Sequence, residues 1–221
     1  MIGARMQKRK AKLFLEAAMK YMVKNFPEEL KWAREAKHFE KMKSSGFLWD
    51  YCWVVYASGF KESILNEKFA EIEEAFKHFD FRKVSRMKSI KPVLKVFNNQ
   101  RKAMSFIQGV KKIYAEGFPN FKRRILKEGV QALQELPGIG EKTAKHLARN
   151  LGVSDVVKND IHIQRLTEFF CARDEIELGN YLSKEFREKK GVIDVVLWRF
   201  CAQKGWRELG FKSLGECINN F

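Results

Sequence analysis

Apolar residues recur along this chain at helical spacing. Phe14, Ala18 and Tyr21 stand at i, i+4 and i+7, next to Leu15 and Met22. Leu126, Val130 and Leu133 repeat that spacing, and Ala144, Leu147, Ala148 and Leu151 form another stripe. Ile163, Leu166 and Phe170 follow, then Ile193, Val196, Leu197, Phe200 and Cys201. Spacing of this kind gathers apolar side chains on one side of a helix, which then turns inward. Strand-like alternation of β-branched residues is nearly missing. The pattern predicts an all-α protein of about ten helices, at typical lengths of about 11–12 residues.

The breaks are short. Asn25-Phe26-Pro27 is expected to end the first helix. Ser44-Ser45-Gly46 is expected to precede a Trp-rich helix, and Gly117-Phe118-Pro119-Asn120 to form a middle turn. Trp49, Trp53, Tyr56 and Phe60 fall at i, i+4, i+7 and i+11, a helical stripe that reads as core packing before it reads as a base-stacking face. Long linkers, low-complexity segments and internal repeats are not found, so the chain reads as one domain or two intimately packed lobes.

Composition narrows the partners. With 45% apolar residues, including 19 Phe and 5 Trp, the chain can bury a proper core. The formal net charge is +16, from 43 Lys and Arg against 27 Asp and Glu. That excess favours a polyanion, and nucleic acid is the usual one; a solubility device and an anionic membrane surface are the other readings. No apolar run approaches the roughly 20 residues that span a bilayer. The N-terminal region is basic (Arg5, Lys8, Arg9, Lys10, Lys12) and does not read as a signal peptide. The four cysteines, Cys52, Cys171, Cys201 and Cys217, form no CxxC pair, so they read as small apolar residues of a reducing, intracellular compartment. Neither a catalytic metal nor a cofactor is expected.

The most informative stretch is Leu136-Pro137-Gly138-Ile139-Gly140-Glu141-Lys142-Thr143-Ala144. A stripe ends at Leu133, two glycines follow one residue apart, and a new helix is expected near Glu141. Physically, the glycines remove Cβ atoms where a phosphate must come close. Their N–H groups are expected to point outward at the start of the next helix, where the dipole favours an anion. The plainer alternative is an αα-corner with glycine at a helix end. Further on stands Val156-Val157-Lys158-Asn159-Asp160-Ile161-His162, with Asp160 eighteen residues after Lys142.

These two motifs, about 30 residues together, resemble the hairpin and the catalytic aspartate of the helix-hairpin-helix (HhH-GPD) DNA glycosylase superfamily, which includes endonuclease III and the 8-oxoguanine glycosylases. The resemblance implies a two-lobed all-α fold with the active cleft between lobes. One lobe is expected at about residues 44–160, the other from 1–43 plus 161–221. It also implies base-excision repair: a monomeric enzyme on double-stranded DNA, cytoplasmic or nucleoid-associated, removing a flipped, damaged base.

Residue roles follow from the resemblance. Asp160 stabilises positive charge on the sugar as the base departs, or activates the attacking group; it is also placed to N-cap a helix. Lys142 stands where bifunctional members carry a nucleophilic lysine, which forms a Schiff base with the sugar and permits strand cutting by β-elimination. Attack needs a neutral amine, a form that burial or neighbouring positive charge favours. Lys142 as a simple phosphate contact, and Lys145 as the nucleophile, are the alternatives. Gly138, Ile139, Gly140, Thr143, Lys145 and His162 are expected at the DNA backbone. A structural monovalent cation is implied at the carbonyls of Gln134, Leu136 and Ile139. In the turn Ala57-Ser58-Gly59-Phe60-Lys61, one of Ser58, Phe60 or Lys61 is expected to fill the gap left by the flipped base. Trp198, off the main stripe of its helix, is expected to line the base pocket.

One departure matters. Endonuclease III-like members end in four clustered cysteines that hold an iron–sulfur cluster; Cys201 and Cys217 alone do not supply such a set. The chain is therefore most similar to the cluster-free, lysine-bearing 8-oxoguanine glycosylases. A monofunctional glycosylase of alkylated or mismatched bases, and a non-enzymatic helix-hairpin-helix module that only grips DNA, are the competing readings.

Overall fold

The computed structural model describes residues 5–35 and 39–221; residues 1–4 and 36–38 of the expected N-terminal region lie outside the described residues. Among the described residues the protein is all-α. The helices are α1 (Lys8–Asn25), α2 (Pro27–Arg34), α3 (Ser44–Ala57), α4 (Glu62–Ala75), α5 (Phe81–Ser85), α6 (Lys91–Val96) and α7 (Gln100–Glu116). They continue with α8 (Phe118–Glu128), α9 (Val130–Gln134), α10 (Glu141–Leu151), α11 (Ile161–Phe169), α12 (Glu175–Phe186), α13 (Lys190–Ala202) and α14 (Leu214–Asn219). Among the described residues there are fourteen α-helices where about ten were expected, because several are a single turn or two long.

The chain divides into two compact units. The first comprises the described part of Met1–Ala36 with Asp155–Phe221, the second the described part of Lys37–Ser154. In the first unit α13 is the centre: Val192 through Leu197 are all buried, as are Arg199, Phe200 and Cys201. A helix apolar nearly all round is buried nearly all round. Helices α1, α2, α11 and α12 pack on it, with Phe14 set edge-on against Phe200 at 5.2 Å and Phe170 at 5.6 Å.

The second unit has an aromatic core. Phe76 meets Phe106 at 4.6 Å and Phe47 meets Phe121 at 5.0 Å, both edge-to-face. Truncating any one of these buried rings to alanine costs about 3–5 kcal/mol. Within this unit α3 packs on both α7 and α10 and so supports the glycine hairpin that opens α10.

Four local expectations change. Ser44-Ser45-Gly46 does not precede α3 but forms its first turn. The middle break is Gly117 alone, at φ +81°; Phe118 already opens α8, with Pro119 in its first turn. Leu126, Val130 and Leu133 do not share one helix, because Gly129 at φ +61° separates α8 from α9. The Trp stripe is only partly core: Tyr56 is fully buried, but Trp49 is 40% and Phe60 42% exposed. Phe60 lies beyond the end of α3, and the indoles of Trp49 and Trp53 stack on each other 5.5 Å apart, with Phe69 edge-on to both.

Candidate functional site

The hairpin is fixed from within the second unit. Leu136 and Ile139 close the turn, the N–H of Ile139 donating to the Leu136 carbonyl at 3.0 Å. The hydroxyl of Tyr51 on α3 donates to the Pro137 carbonyl at 2.5 Å. Burial holds the Tyr51 phenol far above its ordinary pKa, so it remains a donor. Its ring occupies space left by Gly109 on α7, where an added Cβ would lie 2.0 Å from the hydroxyl oxygen.

The two hairpin glycines have different reasons to be glycine. Gly138 has φ +81°, and a Cβ there would come within 3.0 Å of Ser105 Cβ and 3.4 Å of Val55 Cγ2. The missing Cβ therefore serves the turn and the packing against α3 and α7. Gly140 is extended, at φ −99° and ψ −177°, a conformation open to any residue, and a Cβ would meet nothing within 4 Å. Neither packing nor backbone conformation explains the second glycine.

Other hairpin expectations are also revised. The Gly140 N–H does not point outward unpaired: it donates to Thr143 Oγ1 at 2.7 Å, and the Thr143 hydroxyl donates back to the Gly140 carbonyl at 3.0 Å. Thr143 is thus first a cap of α10. The Ile139 side chain is packed in the core at 7% exposure. Lys142 sits in the first turn of α10, exposed, with no side-chain partner among the described residues. Nothing among the described residues buries its amine. Lys145, one turn on, is less exposed and pairs with Glu141 at 3.6 Å.

Asp160, His162 and Trp198 belong to the first unit. Asp160 caps α11: one carboxylate oxygen accepts the N–H groups of His162 at 2.9 Å and Ile163 at 3.0 Å. The other lies 3.3 Å from Lys158 Nζ. The loop before it is pinned by Asp194, a carboxylate buried in the middle of α13, which accepts the Lys158 N–H at 3.0 Å. Asp155 accepts the Gly191 N–H at 2.8 Å at the loop's other end. The Lys158 ammonium rests 4.7 Å from the Trp198 ring centroid, and the Arg199 guanidinium 4.6 Å from it. Arg199 is itself held by two bonds to Glu29, at 2.7 and 2.8 Å. Burial lowers the His162 pKa, opposed by Asp160 and helped by Arg165 and Lys158.

Lys158, Asp194, Tyr51 and Lys102 were not singled out from the sequence. Asp194 and Lys102 carry a signal that was available, a charged residue on the buried stripe of a helix. Among the described residues no three His, Cys, Asp or Glu side chains gather as metal ligands do, and no helix is long and apolar enough to cross a membrane.

No protein-family model and no curated protein matches the chain. Among solved structures it is similar to that of Tm1821, the 8-oxoguanine DNA glycosylase of Thermotoga maritima. The TM-score is 0.60 and the identity 18%, over 86% of this chain and 96% of that one. The two share a fold. All-α architecture is therefore shown both by the helices themselves and by this likeness.

Proposed function

We propose that the protein is a DNA glycosylase of base-excision repair, acting on a damaged base in duplex DNA, with an associated strand-cutting activity. The observation that carries this reading is Gly140. On a fold shared with an 8-oxoguanine DNA glycosylase, this glycine at the mouth of α10 leaves open space that the protein itself does not use. A backbone phosphate fits it, drawn by the helix start and by Lys142 and Lys145.

The chemistry assigned to each residue is specific. The neutral Lys142 amine attacks C1′ of the flipped nucleotide; the C1′–N bond breaks and the base leaves with its electron pair, taking up a proton. Asp160 stabilises the positive charge on the sugar while that bond breaks. The lysine nitrogen gives up a proton, the C1′–O4′ bond breaks with O4′ taking a proton, and a protonated Schiff base joins lysine to the opened sugar; loss of the C2′ proton then breaks the C3′–O bond, the phosphate leaves with the electron pair, and the strand is cut. In this scheme bound DNA supplies the desolvation that the free protein does not give Lys142.

His162 donates to a phosphate. Trp198 lines the base pocket, and 8-oxoguanine is the assigned base. A monovalent cation at the carbonyls of Gln134, Leu136 and Ile139 belongs to the same reading. The Leu136 carbonyl already accepts the Ile139 N–H, which leaves it one lone pair, and no step runs through the ion.

The exposure of Lys142 favours one second reading: a monofunctional glycosylase in which water attacks C1′ and Lys142 holds a phosphate. A panel of duplexes carrying 8-oxoguanine, an alkylated purine, an oxidised pyrimidine or a deaminated base, scored separately for base release and strand cutting, tests both. Release from the 8-oxoguanine duplex with cutting is expected. Release without cutting selects the monofunctional enzyme, and release from none of them overturns the proposal.

A further inference from the structure

Lys102 is the third residue of α7 and lies on its buried stripe with Ala103, Phe106, Ile107 and Val110, at 7% exposure. Its ammonium faces carbonyls: it donates to Val55 at 2.5 Å and to Ser58 at 2.7 Å. These oxygens belong to the last turn of α3 and the residue that ends it, where helix carbonyls lack intrahelical partners and the dipole is negative. Burying an ammonium is costly, and geometry is what this one supplies: a single side chain grips both the helix end and the loop that leaves it.

That loop is short. Gly59 takes φ +78°, the Phe60 N–H returns to the Ala57 carbonyl at 3.2 Å, and Lys61 N-caps α4. At its tip the Phe60 ring is 42% exposed. It is braced behind, edge-on to Phe97 at 5.0 Å and with Lys102 Nζ 5.4 Å from its centroid. The loop shares its support with the hairpin. Val55, whose carbonyl Lys102 holds, is the residue whose side chain lies against Gly138, and Ser105, one turn beyond Lys102, lies there too.

We propose that Lys102 is a positioning residue that holds the Ser58–Phe60 turn as a stiff prong, with the Phe60 ring at its tip as the group that enters the base stack. The proposal rests on the glycosylase reading, because a base must leave the stack for the ring to replace it. A ring on a loose loop gives back in ordering entropy what stacking gains, whereas a clamped ring has that entropy already removed. Aromatic stacking is indifferent to sequence, as filling a gap left by a flipped base requires.

The test uses full-length protein and duplexes with 2-aminopurine beside the target, whose fluorescence rises on unstacking. Lys102→Met, Phe60→Ala and the double variant are compared at saturating protein, with hydrogen exchange of residues 57–61 in the free proteins and circular dichroism to confirm folding. Lys102→Met is expected to speed exchange in the loop about tenfold or more. It should lose most of the unstacking signal, as Phe60→Ala does, and the double variant should be no worse than either, with affinity for undamaged duplex changed less than about twofold. A folded Lys102→Met that keeps both the slow exchange and the signal overturns the clamp. Should Lys102→Met not fold, Phe60→Ala alone decides: an undiminished signal overturns the prong. Wild type that binds every duplex and unstacks none overturns the glycosylase reading itself.

Discussion

Tyr51 and Pro137 are joined by a hydrogen bond of 2.5 Å that ties the hairpin loop to α3, and the ring that makes it fits only because residue 109 is a glycine. Tyr51→Phe leaves the Pro137 carbonyl without its buried donor, at a cost of about 1–3 kcal/mol. Gly109→Ala forces the ring aside and costs a similar amount, about 1–3 kcal/mol. Because both act through one contact, the Gly109→Ala penalty should shrink in a Tyr51→Phe background; urea unfolding of the four proteins measures this. Additive penalties would mean that the two residues do not share this role.

The glycines predict opposite phenotypes. Gly138→Ala strains a left-handed turn and presses on Ser105, so stability falls by about 1 kcal/mol or more. Gly140→Ala should leave stability within about 0.5 kcal/mol of wild type and weaken binding to all duplexes alike. Thermal unfolding and duplex titration separate them. Undiminished affinity in Gly140→Ala removes the phosphate from this position.

The helical class and the hairpin were legible because each rests on local spacing. Glu141 opens α10 as expected, and Asp160 caps α11 as its place before an apolar helix suggests. What was not legible depends on partners distant in sequence. Gly138 and Gly140 look alike in the chain and differ because the first takes a left-handed φ of +81° with Val55 and Ser105 behind it. Lys102 and Asp194 stand on apolar helix stripes, but the Val55 and Ser58 carbonyls and the Lys158 N–H that hold them are distant in sequence. The Trp49–Phe60 stripe misleads at Phe60 because the helix carrying it stops at Ala57.

Lys102 also gives a pH signature. Burial, with Arg101 adding to it, brings its pKa down to about 8 from 10.5. Above pH 8 the folded protein releases a proton that the unfolded chain keeps until about 10.5, so the unfolded state binds more protons and stability rises across that window. Denaturant midpoints between pH 7.5 and 10.5 should show this rise in wild type against Lys102→Met, which lacks it. Parallel curves for the two proteins would show that Lys102 is not the group responsible.

Charge makes a further demand. With a net charge of +16 and phosphate contacts carrying the binding, affinity should fall by about 10³ or more between 50 and 200 mM salt if six or more contacts form. Fluorescence anisotropy on a labelled duplex reads the slope. Salt-insensitive binding would remove nucleic acid as the partner.

The central claim is that Lys142 and Asp160 act on the sugar of a damaged nucleotide, and borohydride trapping on the 8-oxoguanine duplex tests it most directly. Wild type should be captured covalently on the DNA, Lys142→Gln should not, and Asp160→Asn, which keeps the cap of α11 but loses the charge, should release base about 10²-fold more slowly. Capture that survives Lys142→Gln and vanishes with Lys145→Gln would move the nucleophile one turn along α10. Full base release by Asp160→Asn on a duplex the wild type cleaves would contradict the account.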